Sequence, residues 1–194
     1  MTEGLVPFTT LLELATGRLD PDRDVQERRL SDLRGFFSDE SEGPDEVVYR
    51  VYGIPVPETN SEVMCSTTVL EPGDVAGEYY MTKGHFHEKR DRSEIYIGLS
   101  GEGRLVMATE DGRHAVEPMR RGTVNYIPGG WAHRSVNVGD EPLIFFAAYI
   151  GDAGYDYATI ETRGFPVLMK KGPNGPEVVE NPSYGGRSVV VRGV

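Results

Sequence analysis

The chain has 194 residues, 38% hydrophobic and 26% charged, and its 31 acidic against 20 basic residues give a net charge of −11. This length suits one domain that buries an adequate core unaided, and the lone cysteine, Cys65, allows no internal disulfide. The composition excludes disorder, collagen and coiled coil, and so acidic a surface speaks against nucleic acid or an anionic membrane as partner.

Residues 1–45 read as an extension of mixed character. Leu11, Leu12 and Leu14 make one apolar patch and Leu30, Leu33, Phe36 and Phe37 another, with the charged turn Asp20-Pro21-Asp22-Arg23-Asp24 between them. One or two short helical turns are expected, with Ser31 as an N-cap before Leu33, packing on the main body or on a partner subunit. The opening residues Met1 to Pro7 carry no basic stretch ahead of an apolar one. No apolar run approaches the ~20 residues of a membrane span. A soluble, cytoplasmic protein is expected, with Cys65 buried and inert in its apolar stretch.

Residues 46–180 switch to strand and turn. Val47–Tyr52, Ser66–Leu70, Glu78–Thr82, Ser93–Leu99, Arg104–Thr109, Thr123–Ile127 and Ile144–Ile150 are rich in β-branched and aromatic residues, and many are bounded by glycine or proline turns. Short strands so spaced predict an all-β sandwich or barrel. Val167 to Val179, around Gly172-Pro173-Asn174-Gly175-Pro176, adds a hairpin, and 181–194 forms a glycine-rich tail, either disordered or supplying an edge strand to a partner.

The chemistry lies with the histidines. His85 and His87 stand at i and i+2, so on a strand both rings face one way. Glu94 opens the next strand and His133 follows a Pro-Gly-Gly turn. Three imidazoles and a carboxylate suit Fe(II), Mn(II), Ni(II) or Zn(II), one ion per subunit, with positions left for water or substrate. Tyr96 shares the face of Glu94 by parity, and Phe145, Ala147 and Tyr149 likewise share one face of their strand, expected to be the barrel interior. Lys83, Lys89, Arg90 and Arg92 cluster beside the histidines with the Thr82 hydroxyl and the Gly84 N–H, donors that suit a phosphate. His114, beside the turn Asp111-Gly112-Arg113, is expected at the surface.

Gly84-His85-x-His87-x6-Glu94-x6-Gly101 and Gly122-x5-Pro128-x-Gly130-x2-His133-x3-Asn137 resemble the two motifs of the cupin superfamily, with a longer His-to-Glu gap than common cupins show. That gap, set between Thr82-Lys83-Gly84 and Asp91-Arg92-x-Glu94-x-Tyr96, resembles the cupin-type glucose-6-phosphate isomerases. Arg28-Arg29-Leu30-Ser31-Asp32, Thr67-Thr68-Val69-Leu70, Trp131-Ala132-His133-Arg134 and Asp152-Ala153-Gly154 extend the likeness over roughly residues 28–182. Tyr155, where that family often carries histidine, and Gly130, where an aromatic occurs, depart from it.

The resemblance implies a single cupin, jelly-roll type β-barrel and a homodimer. It implies metal ligation by His85, His87, Glu94 and His133, Fe(II) foremost. It also implies a sugar phosphate, glucose 6-phosphate or fructose 6-phosphate, held by Tyr49, Thr68, Thr82, Gly84, Tyr149 and Tyr157. Lys83 joins that set from its position beside His85. Aldose–ketose isomerisation then needs a group that moves a proton between two carbons; Glu94 is the candidate, with Tyr96 bonding substrate oxygens, and a direct hydride shift stands as the other route. The alternatives are an isomerase of another sugar phosphate such as mannose 6-phosphate, an iron oxygenase, and a sugar-phosphate-binding module without turnover.

Overall fold

Alternating apolar residues and glycine turns resolve into sixteen strands among the described residues, which in this computed structural model are 5–21, 25–39, 44–60 and 62–191. Strands β1 (Leu11–Leu12) and β2 (Leu19–Asp20) pair ahead of β3 (Gln26–Arg29), which runs into a 3-10 turn at Leu30–Leu33. The body follows as β4 (Val47–Gly53), β5 (Val63–Leu70), β6 (Asp74–Val75), β7 (Glu78–Tyr79), β8 (Glu94–Ser100), β9 (Glu102–Thr109), β10 (Arg113–Arg120), β11 (Val124–Ile127), β12 (Trp131–Asn137) and β13 (Leu143–Ile150). Helix α1 (Tyr157–Arg163), the one α-helix among the described residues, precedes β14 (Val167–Gly172), β15 (Gly175–Glu180) and β16 (Val189–Val190).

These strands build a six-stranded sheet in the order β11-β8-β13-β5-β4-β3, a four-stranded sheet β12-β9-β10-β16 and a smaller one, β15-β14-β7-β6. The burial of β9 explains the layering. Leu105 and Met107 pack with Tyr49, Leu70, Tyr96 and Phe145 of the six-stranded sheet. The alternate residues Val106 and Ala108 pack with Ile160 of α1 and with Phe165, Val167 and Met169. A strand buried on both faces reads as a continuous apolar run rather than an alternating one, and Leu105-Val106-Met107-Ala108 is such a run. The fold is all-β, of the double-sheet jelly-roll kind.

Several elements differ from expectation. The leader contributes a strand as well as a turn: β3 is the outermost strand of the six-stranded sheet, antiparallel to β4. Ser31 lies inside the 3-10 turn, whose N-cap is Arg29; the Arg29 N–H donates to the Asp32 carboxylate (2.8 Å) and the Ser31 N–H to Asp45 (2.9 Å). Of the expected turn at 20–24, Asp22, Arg23 and Asp24 lie outside the described residues. Helix α1 carries one buried residue, Ile160, so no apolar period announces it; the Asp156 side chain caps it by accepting from the Thr159 N–H (3.1 Å). His114 is buried, not superficial, because β16 lies parallel to β10 and covers it, with the Val191 N–H donating to the His114 carbonyl (2.7 Å). The described part of the tail thus pairs within its own chain. Cys65 is half-buried, on a strand position between buried Met64 and buried Ser66.

Asn137, fully buried, ties the two main sheets. Its side-chain amide donates to the Leu70 carbonyl (2.9 Å) at the end of β5 and to the Glu141 carbonyl (2.9 Å), while its oxygen accepts from the Gly139 N–H (3.0 Å). Asn137→Ala leaves those buried groups unpaired and is expected to cost about 2–4 kcal/mol, read as a lower denaturant midpoint at unchanged slope. A midpoint within error of wild type contradicts this role.

Candidate metal centre

Glu94 is the first residue of β8, and the strand's alternation turns Glu94 and Tyr96 inward and Ile95 and Ile97 outward. His133 sits in β12 after the turn at Pro128-Gly129-Gly130. The segment carrying His85 and His87 runs alongside it, bridging His85 to His133 and Phe86 to Asp156. Four ligand atoms, one each from His85, His87, Glu94 and His133, thereby lie within 4.8 Å of one another.

The carboxylate is the hub. Glu94 Oε2 is 3.1 Å from His87 Nε2 and 3.1 Å from His133 Nε2, with the Glu94 side chain 5% and that of His133 1% exposed. Burial alone raises a carboxyl pKa; here the His133 ring 3.1 Å away and the hydrogen bond from His87 outweigh burial and hold Glu94 down at about 2. The His87 pKa is raised because the bond to Glu94 outweighs its burial. Burial, with His133 beside it, pushes the His85 ring well below its usual value. His87 Nδ1 lies 2.9 Å from the Arg92 carbonyl, which orients the ring.

The Nε2 atoms of His85 and of His133 are both buried with no hydrogen-bond partner among the described residues, although His133 Nε2 lies within ion-pair distance of Glu94. An orphaned imidazole nitrogen facing a carboxylate and two further imidazoles is the donor set that a divalent first-row ion takes, so these residues fit a metal.

The group forms one wall of a cavity of about 300 Å³, within the size range of small-molecule sites. Tyr49, Thr68, Thr82, Gly84, Tyr96, Tyr149 and Tyr157 all line it, as do Phe145 and Ala147. Lys83 is not among the lining residues. Its ammonium lies over the Phe36 ring (5.3 Å), and its carbonyl accepts from the buried Arg134 guanidinium (2.7 and 3.2 Å). Gly84 follows with φ +72°, and a Cβ there would meet Phe165 at 2.7 Å and the His133 carbonyl at 3.0 Å, so only glycine fits. The other expected cations are held in ion pairs: Lys89 and Arg92 with Asp152, and Arg90 with Asp156 (2.6 Å) and Glu110 (2.9 Å).

Tyr155, noted in the sequence only as a departure, belongs to the site. Its hydroxyl is 2.6 Å from that of Tyr149, its ring stacks on Tyr157 (5.9 Å, 9°) and lies 5.0 Å from His85. Gln26 and Arg28 of β3 also line the cavity; in the sequence Arg28 stands out only as the start of a stretch resembling the family's leader, without a site role, and Gln26 not at all.

A family model described as glucose-6-phosphate isomerase matches residues 27–176. The chain belongs to the glucose-6-phosphate isomerase family. It is 47% identical over 163 residues to the glucose-6-phosphate isomerase of Pyrococcus horikoshii, covering 81% of this chain and 86% of that one. It is 44% identical to that of Thermococcus onnurineus, covering 92% of this chain and 96% of that one. Among solved structures, an oxalate decarboxylase overlaps at 27% identity with a TM-score of 0.44, over 60% of this chain and 29% of that chain, too partial an overlap to speak to activity.

His133→Ala is expected to lower bound divalent ion from about one per chain by at least tenfold in equilibrium dialysis, since it removes one of four donors and unpairs Glu94, while the β-rich circular dichroism spectrum persists. Undiminished metal in that variant contradicts the centre.

Proposed function

We propose that this chain interconverts glucose 6-phosphate and fructose 6-phosphate in the cytoplasm, with one divalent ion, iron(II) foremost and manganese, nickel or zinc as substitutes, held by His85, His87, Glu94 and His133. The observation that carries the reading is their convergence on the wall of a hydroxyl-lined cavity, in a chain of a family named for that reaction. A bound divalent ion supplies Lewis-acid polarisation of the two sugar oxygens beside the reacting carbons.

The remaining work falls to side chains. Glu94 Oε2 is engaged by two imidazoles. Oε1 makes no hydrogen bond among the described residues, and it takes the proton from one carbon and returns it to the other. Burial, reinforced by the Glu94 charge, keeps the Tyr96 phenol protonated, so it donates to a substrate oxygen. Tyr149 and Tyr157 hold the sugar hydroxyls, and the Thr68 and Thr82 hydroxyls with the Gly84 N–H line the path of the phosphate.

The reading includes a homodimer. Val124 and Tyr126 of β11 are exposed and stand opposite Ile97 and Ile95 of β8, which are partly exposed, giving an apolar outer face. A face of that kind marks an interface, and sedimentation at twice the chain mass is the expected result.

Fructose 6-phosphate conversion to glucose 6-phosphate, coupled to nicotinamide reduction, tests the activity. Turnover is expected to vanish on chelation and return with one added ion; no turnover with any ion overturns the isomerase reading. Glu94→Gln separates ligand from base: metal retained with activity down about 100-fold or more marks the base. Metal and activity both retained mark the hydride route.

A further inference from the structure

A phosphate dianion moving from water into a cavity of a chain with net charge −11 meets an opposing field and loses hydration, and it needs a fixed positive charge beside it. The basic residues nearest the histidines in sequence do not supply one: Lys83 caps an aromatic ring, and Lys89, Arg90 and Arg92 are paired to carboxylates. Among the described residues that line the cavity, Arg28 is the one lysine or arginine.

Its placement follows from strand parity. On β3, Gln26 and Arg28 face the cavity, while Glu27 pairs on the other face with Arg29 and Arg50 (both 3.1 Å). Arg28 lies directly across from Tyr49, next to a register shift between Arg28 and Arg29. The Tyr49 phenol in turn faces the backbone N–H of Lys83, and the Thr82 hydroxyl beside it accepts from the Ser135 N–H (3.1 Å), leaving its own proton to donate. The Arg28 charge acts on the phenols of both Tyr49 and Tyr157. The Tyr157 ring is 5.3 Å from His85, so this tyrosine spans from the metal group toward Arg28.

Arg28 is also under-used. It donates to the Glu27 carbonyl (3.2 Å) and to the Gln26 side-chain oxygen (3.4 Å), and no carboxylate pairs with it among the described residues. A guanidinium has five N–H donors in a planar fork that matches a phosphate.

Resting on the isomerase reading, we propose that Arg28 is the specificity-determining cation that recognises the phosphate group of the substrate, acting with Tyr49 and the Thr82–Gly84 backbone. The metal group then selects the aldose or ketose end, and the edge strand selects for the phosphorylated end of the sugar.

The test compares wild type with Arg28→Met and Arg28→Lys, metal-loaded, by steady-state kinetics with fructose 6-phosphate. Calorimetry measures binding of glucitol 6-phosphate, a non-reacting acyclic analogue, and of glucitol. Arg28→Met is expected to raise KM and the glucitol 6-phosphate Kd about ten- to a hundredfold, the loss of a hydrogen-bonded charge. Metal content, kcat and glucitol binding should stay near wild type. Arg28→Lys keeps the charge but not the fork and is expected to fall between the two; it carries the test alone if Arg28→Met loses its fold. An unchanged KM in either folded variant overturns the proposal. Equal losses for glucitol 6-phosphate and glucitol also overturn it, because they mark a structural role. A wild type that neither turns over fructose 6-phosphate nor binds glucitol 6-phosphate overturns the isomerase reading itself, a failure distinct from the other two.

Discussion

An ionised carboxylate shut away from water costs several kcal/mol unless opposite charge or donors surround it. Glu94 is in that position, and the imidazoles of His87 and His133 answer it at 3.1 Å each. Their approach dictates much else. The opening of β8 must face inward, β12 must bring His133 across from the other sheet, and the segment of His85 and His87 must lie alongside β12. What this arrangement leaves over is the Nε2 atoms of His85 and His133, buried without a hydrogen-bond partner among the described residues, and a divalent ion is a group that would satisfy them together with the carboxylate.

Groups set back from the ligands hold this geometry. Arg134, adjacent to His133 and buried, spends its guanidinium on the Lys83 carbonyl while stacking on Phe165 (4.6 Å). Burial lowers the pKa of Arg134 to about 10, so the guanidinium stays charged at neutral pH. Gly84, pressed between Phe165 and the His133 carbonyl, fixes the chain just before the first ligand. Asn137 pins the far end of β12 to β5. Glu94 and His133 are therefore placed by strands, and His85 and His87 by a segment bridged to β12 and to Asp156, a fixed arrangement of the kind that precise orientation of a reacting sugar demands.

Much of this was readable from the chain alone, for physical reasons. The two-residue period of a strand places Glu94 with Tyr96, and Phe145 with Ala147 and Tyr149, on the cavity side. Glycine turns mark most strand ends. Long-range pairing was beyond such reading. Gln26-Glu27-Arg28-Arg29 has no apolar residue, and it becomes a strand because β4 offers an edge. His114 is buried by a strand whose first residue lies 75 positions later. Lys83 shows the converse: it adjoins Thr82 and Gly84, both at the cavity, yet its side chain turns to Phe36. Sequence proximity to a site is a poor guide to charge in it: Lys83 lies in a non-strand stretch before the left-handed Gly84, with its carbonyl held by Arg134 and its ammonium over Phe36.

The claim on which the account turns is that three imidazoles and one carboxylate hold a single ion. X-ray absorption at the iron edge of the iron(II)-loaded protein tests it directly. The account predicts an all nitrogen and oxygen shell with outer-shell scattering from three imidazole rings, falling to two in His85→Ala. A spectrum without imidazole scattering, or one that His85→Ala leaves unchanged, would contradict it.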